Sequence, residues 1–203
     1  MNEFHMESMM RKLIIILFVA IFSFFSFQSN ACVGRILSIG IVDSVNENLL
    51  AELISVFIDE RTGTTVNVMI FENYEEIYEA VKKEEIGVVI ENTDHALTML
   101  NFQGSGDRKK DYNISKKEFR ERLNLVWLKP LGHLPEEEGK EPRFYAAVIT
   151  EDVLINFPAL PRVINKLKGI SDDKGFGKVV EVAKEEKDIR KAVRDFLKRK
   201  KLI

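Results

Sequence analysis

Histidines, a lone cysteine and clustered carboxylates are the side chains of this 203-residue chain whose types could carry chemistry. The histidines are His5, His95 and His133. His5 lies ahead of an apolar N-terminal run, and the other two lack ligand partners at metal spacing. No Ser, His and Asp, and no Cys and His, can be assembled into a nucleophile with its base. The residues therefore argue against an enzyme. Gly104-Ser-Gly106 and Gly175-Phe-Gly177 do not follow strands with the full dinucleotide fingerprint and read as turns. Glu136, Glu137 and Glu138 fall in a segment with almost no apolar content, where carboxylates are solvated. No cofactor or metal is implied.

Cys32 is the one cysteine, which excludes an internal disulfide. Ahead of it stand the basic pair Arg11-Lys12, the apolar run Leu13 to Phe27 and the short polar stretch Gln28 to Ala31. That order describes a secretory signal over residues 1–31. The run is shorter than the roughly 20 apolar residues of a membrane span, and a signal anchor is the other reading. Two processing chemistries stay open. Acylation of the Cys32 thiol would make a lipoprotein, whereas Ser29-Asn-Ala31 also fits plain cleavage after Ala31. Either route exports the chain, to the periplasm or to the outer face of the cytoplasmic membrane.

The elements that must position any site follow from periodicity and caps. Arg35 to Val42 is a continuous apolar run suited to a strand buried on both faces. Ser44 and Glu47 form a capping-box pattern, Leu49, Leu50, Leu53, Ile54, Phe57 and Ile58 recur at helical spacing, and Gly63 supplies a stop. Thr64 to Phe71 alternates as a strand, Asn73 and Glu76 cap the next helix, and Ile86 to Ile90 is a third strand. Tyr74 and Tyr78 on that helix read as packing or surface residues. Strands alternating with helices predict parallel pairing by right-handed crossovers.

Further on, Asp94 is expected to cap a short helix, Gln103 to Asp111 to form a surface loop, and Ser115 with Glu118 to cap another helix. Leu125 to Leu128 and Phe144 to Ile149 read as strands, and residues 132–143 as a linker. The tail reads as helices over residues 151–157, 158–167, 172–182 and 187–199. The expected fold is α/β: one domain over residues 35–203, a mostly parallel central sheet flanked by helices, with a helical C-terminal tail. Lysine plus arginine total 30 and aspartate plus glutamate 32, a net charge of −2 that gives nucleic acid no basic surface. The cluster Lys198 to Lys201 ends a helix, where cations suit the dipole.

Three segments, in order, resemble the glycine betaine and choline (osmoprotectant) class of substrate-binding proteins of ABC importers. They are Ile39-Gly-Ile-Val-Asp-Ser-Val-Asn-Glu-Asn-Leu-Leu-Ala-Glu-Leu53 with Arg61-Thr-Gly63, Val88-Val-Ile-Glu-Asn-Thr-Asp-His-Ala-Leu97, and Phe144 to the C-terminus. The resemblance implies two α/β lobes closing on a quaternary ammonium solute held by tyrosines. It also implies the importer's membrane subunits as partners. Trp127 to Gly132 resembles the point before the chain enters the second lobe, and Phe144 to Val148 the point of return. Here about a dozen residues stand where the family inserts a lobe of about 100, a small domain.

The resemblance places ligand-binding positions at Asp43 in the first loop, at Glu91, Asn92 and Thr93 in the second, and at Tyr145, which also reads as core or hinge. Asn92 stands where the family has tyrosine, and His95 where it has threonine. One lobe offers one wall, so solute binding is expected to be weak or lost, with a homodimer mate or a separate lobe as a further partner. The other reading is an exported structural or interaction protein derived from such a binder.

Overall fold

The computed structural model describes residues 36–134, 143–185 and 188–203. Residues 1–35, with the expected signal and Cys32, lie outside the described residues. Ile36 to Ile203 form one compact unit.

The first half follows the caps. Strand β1 (Leu37–Val42) leads into α1 (Val45–Thr62). The Ser44 side chain accepts from the Glu47 amide at 3.2 Å, and Gly63 closes the helix in the left-handed conformation at φ 68°. That backbone is open to glycine without the Cβ penalty. Strand β2 (Val66–Phe71) follows, then α2 (Tyr74–Lys82) capped by Asn73, then β3 (Val88–Asn92). β2 and β3 lie on opposite sides of β1, and both pair with it in parallel. The first crossover moves one way and the second moves back across β1. Right-handed connections then place α1 and α2 on opposite faces of the sheet.

The pairing departs from the expected parallel sheet at β6 (Arg143–Ile149), which runs antiparallel to β3. β4 (Val126–Trp127) and β5 (Gly132–Leu134) both pair antiparallel with β6. Among the described residues five strands therefore share one direction and β6 opposes them. "Mostly parallel" holds for direction but only for the β2-β1-β3 pairings. The expected linker over 132–143 is narrower too, because its ends are strands: Gly132 opposes Tyr145 and Leu134 opposes Arg143. Residues 135–142 lie outside the described residues.

The two faces carry separate cores. Leu37, Ile39, Ile41, Val88, Ile90 and Ile149 pack with α1 and the C-terminal helices. Ile77, Val89, Phe119, Trp127, Ala146 and Val148 pack on the other face. α1 is buried on nearly every side, between the sheet and the tail.

Three helix starts differ from expectation. Asn92, not Asp94, caps α3 (Thr93–Met99), because β3 runs on to Asn92 and turns there. Asp107 caps α4 (Arg108–Leu123), so Arg108, Lys109 and Lys110, all good helix formers, extend the helix into the expected loop. Ser115 is therefore buried inside α4, its hydroxyl without a hydrogen-bond partner, and caps nothing. The tail holds α5 (Glu151–Asn156), α6 (Leu160–Ile164), α7 (Gly177–Lys184) and α8 (Ile189–Arg199), with two short 3-10 turns, after Ile164 and Gly169, between α6 and α7. The helix expected from Asp172 starts only at Gly177. The Asp173 carboxylate instead accepts from the Gly175 amide at 2.8 Å and holds a turn.

Candidate functional site

In an open sheet whose connections diverge from one strand, a crevice forms outside the carboxyl ends at the switch point. Here that point lies between β1 and β3. Asp43 and Ser44 follow β1, and Glu91, Asn92 and Thr93 end β3 and begin α3.

Glu91 is fully buried there. Strand alternation puts its side chain on the face of Val89, toward α2. It accepts from the Tyr78 hydroxyl, from the Asn92 amide at 2.8 Å, and meets His95 Nδ1 at 3.1 and 3.0 Å through its two oxygens. A carboxylate surrounded by donors takes the hydrogen of each, so Nδ1 carries the imidazole proton. These charge-assisted bonds offset the desolvation of a buried anion.

A second carboxylate does the same at the end of β1. Glu47 is buried in the first turn of α1, and its Oε2 accepts from the Val42 amide at 2.9 Å. A capping box would aim this side chain at the Ser44 amide, but that amide donates to the Val42 carbonyl at 2.8 Å. Glu47 Oε1 takes the Tyr74 hydroxyl. Asn92 joins the two halves. Its Oδ1 accepts from the His95 amide at 2.9 Å while its Nδ2 donates to the Tyr74 oxygen at 3.1 Å. The Tyr74 and His95 rings stack with centroids 3.7 Å apart and 14° between planes.

Burial first, then the charges of Glu91 and Glu47, hold the Tyr74 phenol far above its ordinary pKa. Burial first, then Glu91, does the same for Tyr78. Both hydroxyls thus remain protonated donors. The result is a closed polar network at the switch point in which each described member answers another.

Two cavities open beside it. One of about 490 Å³ is lined by Tyr74, Tyr78, His95, Met99, Arg122 and Leu125 among others. The other, shallower and about 650 Å³, adds Val42, Asp43 and Asn73. Tyr74 and His95 line both.

Of the positions expected from sequence, Glu91, Asn92 and Thr93 come together at the crevice and are all buried. Asp43 is exposed on the shallower cavity and accepts from Asn48 Nδ2 at 3.2 Å. Tyr145 opposes Asn92 in the β3–β6 ladder and is fully buried in the core that faces α1. Tyr74 and Tyr78 pack against the core as read, and in addition their hydroxyls serve the buried carboxylates of Glu47 and Glu91. Glu47 and His95 also belong to the network. The available signal was a glutamate ending the apolar strand Val88-Val-Ile, which needs donors, and tyrosines at i and i+4 on the preceding helix. Among the described residues no group of three or more His, Cys, Asp or Glu could hold a metal ion. No described helix is long and apolar enough to cross a membrane.

No protein-family model matches the chain, and no curated protein does. Solved structures do. A structure described as a glycine betaine/carnitine/choline ABC transporter superposes with a TM-score of 0.69 at 12% identity, covering 82% of this chain and 99% of that one. Apo YehZ from Escherichia coli superposes at 0.64 with 13% identity, covering 83% and 100%. At these identities the likeness is one of fold alone: the described residues form one mixed α/β unit that shares the fold of those two structures.

Proposed function

We propose that this chain is a single-lobe, exported component of an ABC-type import system of the glycine betaine and quaternary ammonium class. It works with a protein partner and holds such a solute weakly or not at all. The observation that carries this reading is the switch-point crevice, where Glu47, Tyr74, Asn92, Glu91, Tyr78 and His95 are engaged with one another. A solute in the neighbouring cavities would have to displace an internal partner before reaching the carboxylates of Glu91 and Glu47.

The magnitudes point the same way. Micromolar binding needs about 8 kcal/mol. A solute of about eight heavy atoms reaches at most about 1.5 kcal/mol each, and only when nearly enclosed. The strand ends Leu134 and Arg143 are paired neighbours joined by eight residues. That length supports the reading that a second lobe has been lost, because it is far too short to hold a domain.

The test is affinity capture from cell envelope with the mature chain as bait, read by mass spectrometry. Recovery of an ABC permease subunit supports the assignment, and recovery of none counts against it. One observation favours the alternative of an exported interaction protein derived from such a binder. Among the described residues β2 pairs with β1 alone, and its Ile70 is 58% exposed. An unpaired edge invites another strand, so a dimer by sedimentation that buries β2 would favour it.

A further inference from the structure

The His95 side chain can be removed without breaking the backbone around it. Its amide caps on Asn92 Oδ1, a bond that any residue but proline at position 95 would keep. The imidazole itself does two things: it stacks on Tyr74 and presents Nδ1 to both oxygens of Glu91. Its side chain is 27% exposed, whereas that of Glu91 is wholly buried. Both cavities reach it.

What surrounds the ring has the chemistry of a receptor. One flat wall is an aromatic face, which attracts cations through its quadrupole. The floor is a buried carboxylate already oriented by the Tyr78 hydroxyl and the Asn92 amide. A carboxylate set beside an aromatic plane favours a flat cation that stacks and donates N–H bonds. A quaternary ammonium has no N–H to donate.

We propose that the His95 side chain is the built-in occupant of a site for a small planar organic cation with N–H donors, such as imidazolium or guanidinium, and that removing it uncovers that site. This deepens the reading above, in which the crevice is filled from within. The wild-type chain is its own ligand here, and a free cation competes against a tethered ring.

The experiment is thermal unfolding of the mature His95→Ala chain with added imidazole in slightly acidic buffer. Thiazole, a flat ring of the same size without an N–H, is the control. Imidazole at about ten times its Kd raises the unfolding midpoint of His95→Ala by about 3–5 °C. Thiazole does not, wild type does not respond, and His95→Ala with Glu91→Gln does not respond. Equal stabilisation by thiazole would show mere cavity filling and overturn the proposal. So would an equal response of wild type, or none from a folded His95→Ala chain. If His95→Ala does not fold, His95→Ser takes its place. Should neither fold alone, folding on addition of imidazole supports the site and failure to fold with it overturns the site. Betaine binding by wild type would overturn the filled crevice itself, whereas absent imidazole rescue removes only the role given to His95.

Discussion

The imidazole of His95 lies flat on the ring of Tyr74, 3.7 Å between centroids, and joins the first turn of α3 to the first turn of α2 across the carboxyl end of the sheet. Through Glu91 and Glu47 that stack is tied to β3 and α1. A polar network in this position rigidifies the crevice when complete and destabilises it when one member is lost.

Glu91 is the member with most to lose. Glu91→Ala strips the acceptor from the Tyr78 hydroxyl, the Asn92 amide and His95 at once. It is expected to cost about 2–4 kcal/mol. Glu91→Gln retains an acceptor oxygen and costs less. Urea unfolding midpoints of the two variants check the order.

The two tyrosines give a pH dependence with a definite sign. Folding raises the pKa of Tyr74 and Tyr78, chiefly by burial. The unfolded chain then releases their protons near pH 10 while the folded chain keeps them. Stability is full below that value and falls as pH rises through it, by up to about 1.4 kcal/mol per pH unit for each group. Tyr78→Phe should make the decline between about pH 10 and 11.5 shallower. Urea titrations across that window measure it.

The glutamate-tyrosine pairing shows where the sequence stops being legible. Ser44, Gly63 and Asn73 mark their helix ends by local chemistry, and the structure places caps at all three. Partners of Glu91 come from sequence distances of 1, 4 and 13, and the Tyr74–Glu47 bond spans 27 residues. Such pairs depend on the strand order, which no local pattern encodes. The same holds for β6: its apolar run reads as a buried strand, but its antiparallel direction shows only in its pairing with β3, β4 and β5. Asn92 and Asp94 are both good caps, and only the length of β3 decides between them.

Gly132 is a position where conformation and space agree. Its φ is 125°, and a Cβ there would meet Ser171 Oγ at 2.3 Å and Asp172 Cγ at 2.9 Å. Gly132→Ala should therefore destabilise by about 2 kcal/mol or more. It would also disturb the His133–Asp172 contact at 2.8 Å that ties β5 to the tail. A shift of the His133 ring signals in NMR spectra, together with a lowered unfolding midpoint, is the expected result.

The tail is held by packing more than by charge. Arg190 bridges Glu52 at 2.7 Å and Asp59 at 3.3 Å, but these side chains are partly exposed and screened. Arg190→Ala should cost under about 1 kcal/mol. Phe196 is fully buried and meets Phe176 edge to face at 5.3 Å. Phe196→Ala should cost about 3–5 kcal/mol. Denaturant midpoints at low and high salt separate the two, since only the arginine effect depends on ionic strength.

The chain's own side chains fill the crevice at the switch point. Isothermal titration of residues 32–203, with Cys32 replaced by serine and otherwise unaltered, against glycine betaine, choline and proline betaine is the test. No binding heat is expected at millimolar solute. Micromolar binding of any of the three would contradict it, because one wall and a crevice filled by the Tyr74–His95 stack leave too few contacts for that affinity.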